Sequence, residues 1–233
     1  MYPARATQAP PGSRASGGVC SAPNPVPKPS VAALIPLSLL EAIRNLDTPV
    51  EDGLDELAEE IMVRRLGLSA TVAAQIQRYR QSAAKGVAVD LDETVSVFRL
   101  VGRRADAALV FADAGRRAAR YAAKARGRSA RALAKLSPRP LARRLALRSV
   151  ARLTRSIFDG DFKARGNVVE VRMSAPLSIV ALPAGEACLF YGSAYLEMLR
   201  ALTGFEGALL HAHCRSRGDS DCHWHTAVAE VYE

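Results

Sequence analysis

Aromatic residues are scarce in this 233-residue chain, at 6%, although 49% of its residues are apolar. The core must therefore be assembled from small and aliphatic side chains. Abundant alanine, the residue with the highest intrinsic helix propensity, favours helices to do it. No apolar run reaches the roughly 18 residues that a membrane span requires. The N-terminal MYPARATQAPPGSRASGGVC lacks the apolar stretch of a secretory signal, so the sequence predicts a cytoplasmic protein with at most a peripheral association with membranes. There is no G-x-G-x-x-G after a strand, no flavin fingerprint and no fourth clustered cysteine for an iron–sulfur centre. These absences argue against an enzyme that carries its own electron source. Acidic residues are also unevenly distributed. Residues 103–155 hold sixteen Lys or Arg against two acids, Asp106 and Asp113, in a chain of net charge +9. Such a stretch suits an anionic surface or an acidic protein. Phe111 and Tyr121 are its only aromatics, which argues against nucleic acid read by base stacking.

The chain divides by composition. Residues 1–30 contain seven of the thirteen prolines and read as a disordered tail, with Cys20 inside it and unsuited to a metal role. Residues 31–102 read as an N-terminal helical region. Leu39, Leu40, Ile43 and Leu46 recur at helical spacing after Pro36, a second helix is expected over 53–66, a third over 69–84, and Asp92 is a candidate cap for a fourth. Residues 103–233 form the remaining domain. Here a long helix is expected over 105–126 and an amphipathic one over 139–158. The second carries Arg144, Arg148, Arg152 and Arg155 on one face and Leu147, Val150, Leu153 and Ile157 opposite. Beyond Gly160 the pattern turns to period two. Strands are expected around Val168–Val171, along an edge segment over 176–182, over 208–213 and from Cys222 to Tyr232, with a helix over 184–202 ending at Gly204. Helices followed by strands around one helix define an α+β fold with an antiparallel sheet covered by helices.

All four histidines and three of the four cysteines lie between Cys188 and His225, most of them in HAHCRSRGDSDCHWH (211–225). Thiolate and imidazole are the ligand types that zinc selects. A hairpin over RSRGDSD, with Gly218 permitting the turn, sets Cys214 beside Cys222. Cys188, near the start of a helix packed on that sheet, can reach both, and His211 completes four ligands. Three thiolates and one imidazole make a closed, structural site, Cys188–His211–Cys214–Cys222, with no vacant position for a substrate. His213 is the alternative ligand if the strand is shifted. Alternation along the last strand places His223 and His225 on the solvated face and Cys222, Trp224 and Thr226 inward.

The run CLFYGSAYLEMLRALTGFEGALLHAHCRSRGDSDC (188–222) resembles the 4-vinyl-reductase ligand-binding domain family, whose signature is a helix cysteine, a strand ending Glu-x-x-Cys, a polar glycine-containing loop and a final cysteine. Separations of 23, 3 and 8 residues suit that pattern. His211 stands where the family has glutamate, which makes a zinc-loaded site −1 in place of −2. The segments 113–127 and 133–162 are similar to the standalone J-type proteins of bacteriochlorophyll synthesis. The resemblance implies a homodimeric fold like that of a vesicle-tethering subunit, a structural Zn²⁺, and a buried pocket for a hydrophobic small molecule. It points to an accessory or carrier for a tetrapyrrole in (bacterio)chlorophyll synthesis. The alternative is a ligand-sensing regulatory module for an aromatic or apolar molecule. One of His213, His223 and His225 could also ligate the central Mg²⁺ of a bound tetrapyrrole.

Overall fold

The computed structural model describes residues 29–48, 69–125, 138–166 and 168–227. The proline-rich tail with Cys20, the helix expected over 53–66 and the end of the last strand lie outside the described residues. The chain is α+β. Strand β1 (Ser30–Ala32) leads into α1 (Leu34–Asp47) and α2 (Ala70–Ala84), and β2 (Ala88–Asp90) returns to pair with β1. Helices α3 (Leu91–Gly102), α4 (Ala107–Ala125) and α5 (Arg139–Phe158) follow. Then come β3 (Asp161–Arg165), β4 (Val168–Met173), α6 (Leu177–Ala181), α7 (Cys188–Thr203), β5 (Ala208–His213) and β6 (Cys222–Ala227). The second sheet has the order β3-β4-β6-β5, antiparallel throughout.

Helix α7 is the axis of the packing. Its Phe190, Tyr191, Ala194, Tyr195, Met198 and Leu199 are all buried, and α4 and α5 lie against it. Such close contact with α4 follows from a stripe of small residues, Ala114, Gly115, Ala118, Ala119 and Ala122, each buried. At Gly115 a Cβ would be driven into the backbone carbonyl of Phe190, so only glycine fits where the two helices cross. The few aromatics are concentrated here. Phe158 meets Phe190, Tyr191 and Tyr195 edge-on with centroids 6.1, 6.2 and 5.8 Å away, the arrangement ring quadrupoles favour. On the far side of α4, α1 buries Ile35, Leu39, Leu40 and Ile43. One continuous apolar cluster therefore runs from Ile35 to Trp224. Arg104 ties α1 to the start of α4 by pairing with Asp47 and Asp106, each at 2.7 Å.

Several elements differ from the sequence reading in identifiable ways. Segment 176–182 is a short helix, not an edge strand. Pro176 sets an extended entry, and the buried positions Ser178 and Ala181 follow at helical spacing. Helix α1 begins at Leu34, two residues before Pro36, because a proline in the first turn has no intrahelical N–H bond to lose. Asp90, not Asp92, caps α3 by accepting from the Asp92 N–H at 2.8 Å; a cap must precede the first helical N–H groups that it satisfies. Strand β3 is polar, with its outward positions exposed, and so gives little apolar alternation. Helix α5 has the bounds and the polarity expected: Arg144, Arg148, Arg152 and Arg155 are exposed and Val150 is buried.

Candidate metal centre

The four ligands arrive from three elements. Cys188 is the first residue of α7, His211 is in β5, Cys214 follows that strand, and Cys222 opens β6. The loop between the last two is short and strongly bonded. A 3₁₀ turn spans Arg215–Arg217, Gly218 takes φ +91°, and Asp219 accepts from the Cys214 N–H at 2.6 Å. Glycine is needed where the chain enters the left-handed region. Arg215 fastens the loop to the neighbouring strand end by donating to the Ser174 carbonyl. Gly185, with φ +87°, lies close enough to Ser216 that a side chain there would strike its hydroxyl.

In this frame one ligand atom from each of Cys188, His211, Cys214 and Cys222 lies within 4.8 Å of every other, and the group can hold a metal ion. Cys188 and Cys222 sulfurs are each 3.9 Å from the Cys214 sulfur. A tetrahedral centre with bonds of about 2.3 Å to sulfur has sulfur–sulfur edges of about 3.8 Å. These are free thiols with no disulfide among them, and all three cysteines are buried. The Nε2 atom of His211 is buried without a hydrogen-bond partner. A metal ion would give it one, while the His213 backbone hydrogen-bonds the same ring. That is the outer-sphere contact that orients a ligating imidazole. Trp224 stacks on the His211 ring at 4.5 Å and 7°.

Every sulfur also has a hydrogen-bond partner supplied by the chain. Ser178 Oγ is 3.3 Å from Cys188 Sγ, and Ser216 Oγ is 2.9 Å from Cys214 Sγ. The Arg215 backbone bonds the Cys222 sulfur. Burial pushes the Cys188 and Cys222 thiols above their ordinary values, and the neighbouring Cys214 raises both further. Burial also opposes ionisation of Cys214, yet hydrogen bonds with the Ser216 side chain and backbone and with Cys188 and Cys222 together outweigh it and hold this thiol below the usual range. Burial, reinforced by Arg217, lowers the His211 pKa and keeps the ring in the neutral form that binds metals. An ion held by all four protein ligands would have no position left for a substrate, and would lock the start of α7 onto the β5–β6 hairpin.

The ligand set read from the sequence is thus brought together, and His213 is not part of it. A bulge between His211 and His213 turns the latter ring outward, where its side chain is 57% exposed beside Asp219. On β6, Cys222, Trp224 and Thr226 face inward as alternation requires. His223 lies on the opposite face with His225, but it is only 9% exposed. The last strand is central in the sheet, and Arg172 and His213 flank His223 from either side. Sequence reasoning missed the hydroxyls that bond the sulfurs. Ser216, two residues after a ligand in a polar loop, was detectable; Ser178 was hidden by the reading of its segment as a strand.

Two clefts adjoin this region. One of about 460 Å³ runs between α7 and β5, lined by Leu189, Leu196, Leu209 and Trp224 and also by Cys188 and His211. Another, of about 560 Å³, is bounded by Ile35, Leu91, Met173, Leu177 and Tyr191, with Arg155 in its wall. Among the described residues no helix is long and apolar enough to cross a membrane. Comparison with family models, with characterised proteins and with solved structures finds none that matches this chain. The fold and the site together define an α+β protein with a Cys₃His group able to hold a metal ion.

Proposed function

We propose that the chain is a zinc-stapled small-molecule-binding protein of the 4-vinyl-reductase ligand-binding type. In this reading it is an accessory or carrier for a tetrapyrrole in (bacterio)chlorophyll synthesis and does not itself reduce the ligand. The convergence of Cys188, His211, Cys214 and Cys222 carries the proposal, because three sulfurs and an imidazole are the donor set of structural zinc. The cleft beside Tyr191 supports the ligand class. Most of its lining residues are apolar, with Arg155 and Asp159 both among the rest; the apolar wall suits a flat ring, and the arginine is the group that would meet a ring carboxylate. Partners follow from the same reading. The resemblance supports a homodimer, and the exposed arginines of α5 support a peripheral contact with an anionic surface or an acidic protein.

The test begins with metal analysis of the purified chain and continues with a porphyrin titration followed in the Soret region. One zinc per chain and a saturable Soret shift weakened by Arg155→Ala are expected. Zinc without a Soret shift, together with a saturable response to phenolic compounds, would transfer the protein to the ligand-sensing class. No response to either ligand would refute both.

A further inference from the structure

The three clustered thiols are not equivalent as partners for one another. Continuing the pairing of His213 with His223 by one residue sets Cys214 directly opposite Cys222. The Cys214 backbone is spent on its own loop. Its N–H donates to Asp219 at 2.6 Å, and its carbonyl accepts from the Arg217 N–H at 2.8 Å. Cys214 and Cys222 therefore face each other as a non-hydrogen-bonded cross-strand pair, the kind whose Cα atoms lie about 4.5 Å apart. A disulfide spans Cα separations of about 4.4–6.8 Å. The two sulfurs are 3.9 Å apart, so closing the gap needs side-chain rotation and no new register. Cys188 is equally near to Cys214, but it belongs to α7, and its sulfur is engaged by Ser178 Oγ at 3.3 Å. Each of the three cysteines is at most 3% exposed, which admits only a small oxidant. Cys188 lines the cleft between α7 and β5, and Cys214 leads into a loop whose Arg215, Arg217, Gly218 and Ser220 are exposed.

We propose that Cys214 and Cys222 are a reversible oxidation site, and that hydrogen peroxide, by joining them, unclasps the metal centre. This rests on the Cys₃His reading of the cluster. The Cys214 thiolate attacks one peroxide oxygen; the O–O bond breaks, and the sulfur becomes a sulfenic acid as hydroxide departs. The Cys222 thiolate then attacks that sulfur, the S–O bond breaks, and a second hydroxide leaves. Two electrons pass from the sulfurs to the peroxide, and two protons turn the hydroxides into water. Cys188 and His211 remain, two ligands where a structural site needs four. The start of α7 is then no longer tied to the β5–β6 hairpin. That helix supplies Tyr191 to one cleft and Leu189 and Leu196 to the other, so oxidation loosens a wall of each.

The zinc-loaded full chain is treated with a few equivalents of hydrogen peroxide. Zinc release is followed with a chromogenic chelator, and disulfides are mapped by peptide mass spectrometry without reduction. One zinc is released for each Cys214–Cys222 disulfide formed, Cys188 is recovered as a free thiol, and a dithiol restores zinc binding. Cys222→Ser leaves Cys214 as a sulfenic acid that dimedone traps, whereas Cys188→Ser still forms the disulfide. Zinc retained with all three thiols reduced, a disulfide through Cys188, or sulfinic acids in place of a disulfide overturns the proposal. A chain that binds no zinc before any peroxide is added counts against the Cys₃His centre instead. The same disulfide mapping on that metal-free chain then decides the oxidation site by itself.

Discussion

Replacing Cys214 with serine perturbs the metal centre at the vertex shared by both 3.9 Å sulfur–sulfur edges. The substitution is nearly isosteric, and it leaves the Cys214 N–H bond to Asp219 in place. A serine hydroxyl can bond Ser216 Oγ, now 2.9 Å from the sulfur, so the metal-independent cost is small, on the order of 1 kcal/mol. The metal-dependent cost is larger. If loss of one thiolate weakens the ion a hundredfold, native stability at saturating metal falls by about 2.7 kcal/mol. In a chain of this size each kcal/mol moves Tm by about 2–4 °C, so the metal-dependent loss is about 5–11 °C. Thermal unfolding of wild type and C214S, each with zinc and with a chelator, measures it. The gap between the two proteins should be wide with zinc and should shrink to the small residual cost under chelation. A gap of the same size in both conditions would mean that Cys214 acts through packing alone and holds no ion.

Gly115→Ala forces α4 and α7 apart against a backbone carbonyl that cannot rotate away; a loss of at least about 1–3 kcal/mol in denaturant unfolding is expected. Thr154 is fully buried with its hydroxyl unpartnered, so Thr154→Val should be neutral or stabilising in the same assay. In the metal-free chain, burial lowers the pKa of both His211 and His223 from 6.5. The unfolded state then binds more protons below that value, and stability should be complete above about pH 6.5 and decline as the pH falls through it. Because Cys188 and Cys222 thiols are raised by burial, zinc binding near neutral pH must displace protons. Affinity should therefore rise with pH, with proton release measurable in weakly buffered solution.

How far the sequence anticipated the structure can be traced to particular signals. The amphipathic helix α5 and strand β5 were legible to the residue, because a long helical wheel and a short apolar run bounded by glycine and a polar loop leave little ambiguity. The cluster was legible because cysteine and histidine are rare elsewhere in the chain and Gly218 marks the hairpin turn. The short helix α6 was not, since five residues offer too little periodicity to separate helix from strand. Nor was the crossing at Gly115: a glycine within an alanine-rich helix shows its purpose only once α7 lies beside it. The bulge between His211 and His213 left no local mark either, and it decides which histidine joins the thiols.

X-ray absorption at the zinc edge of the purified full chain tests whether Cys188, His211, Cys214 and Cys222 hold a zinc ion. One zinc per chain is expected, with three sulfur neighbours at about 2.3 Å and one nitrogen at about 2.0–2.1 Å. A metal-free chain after purification without chelators, or a shell of nitrogen and oxygen lacking sulfur, would contradict it.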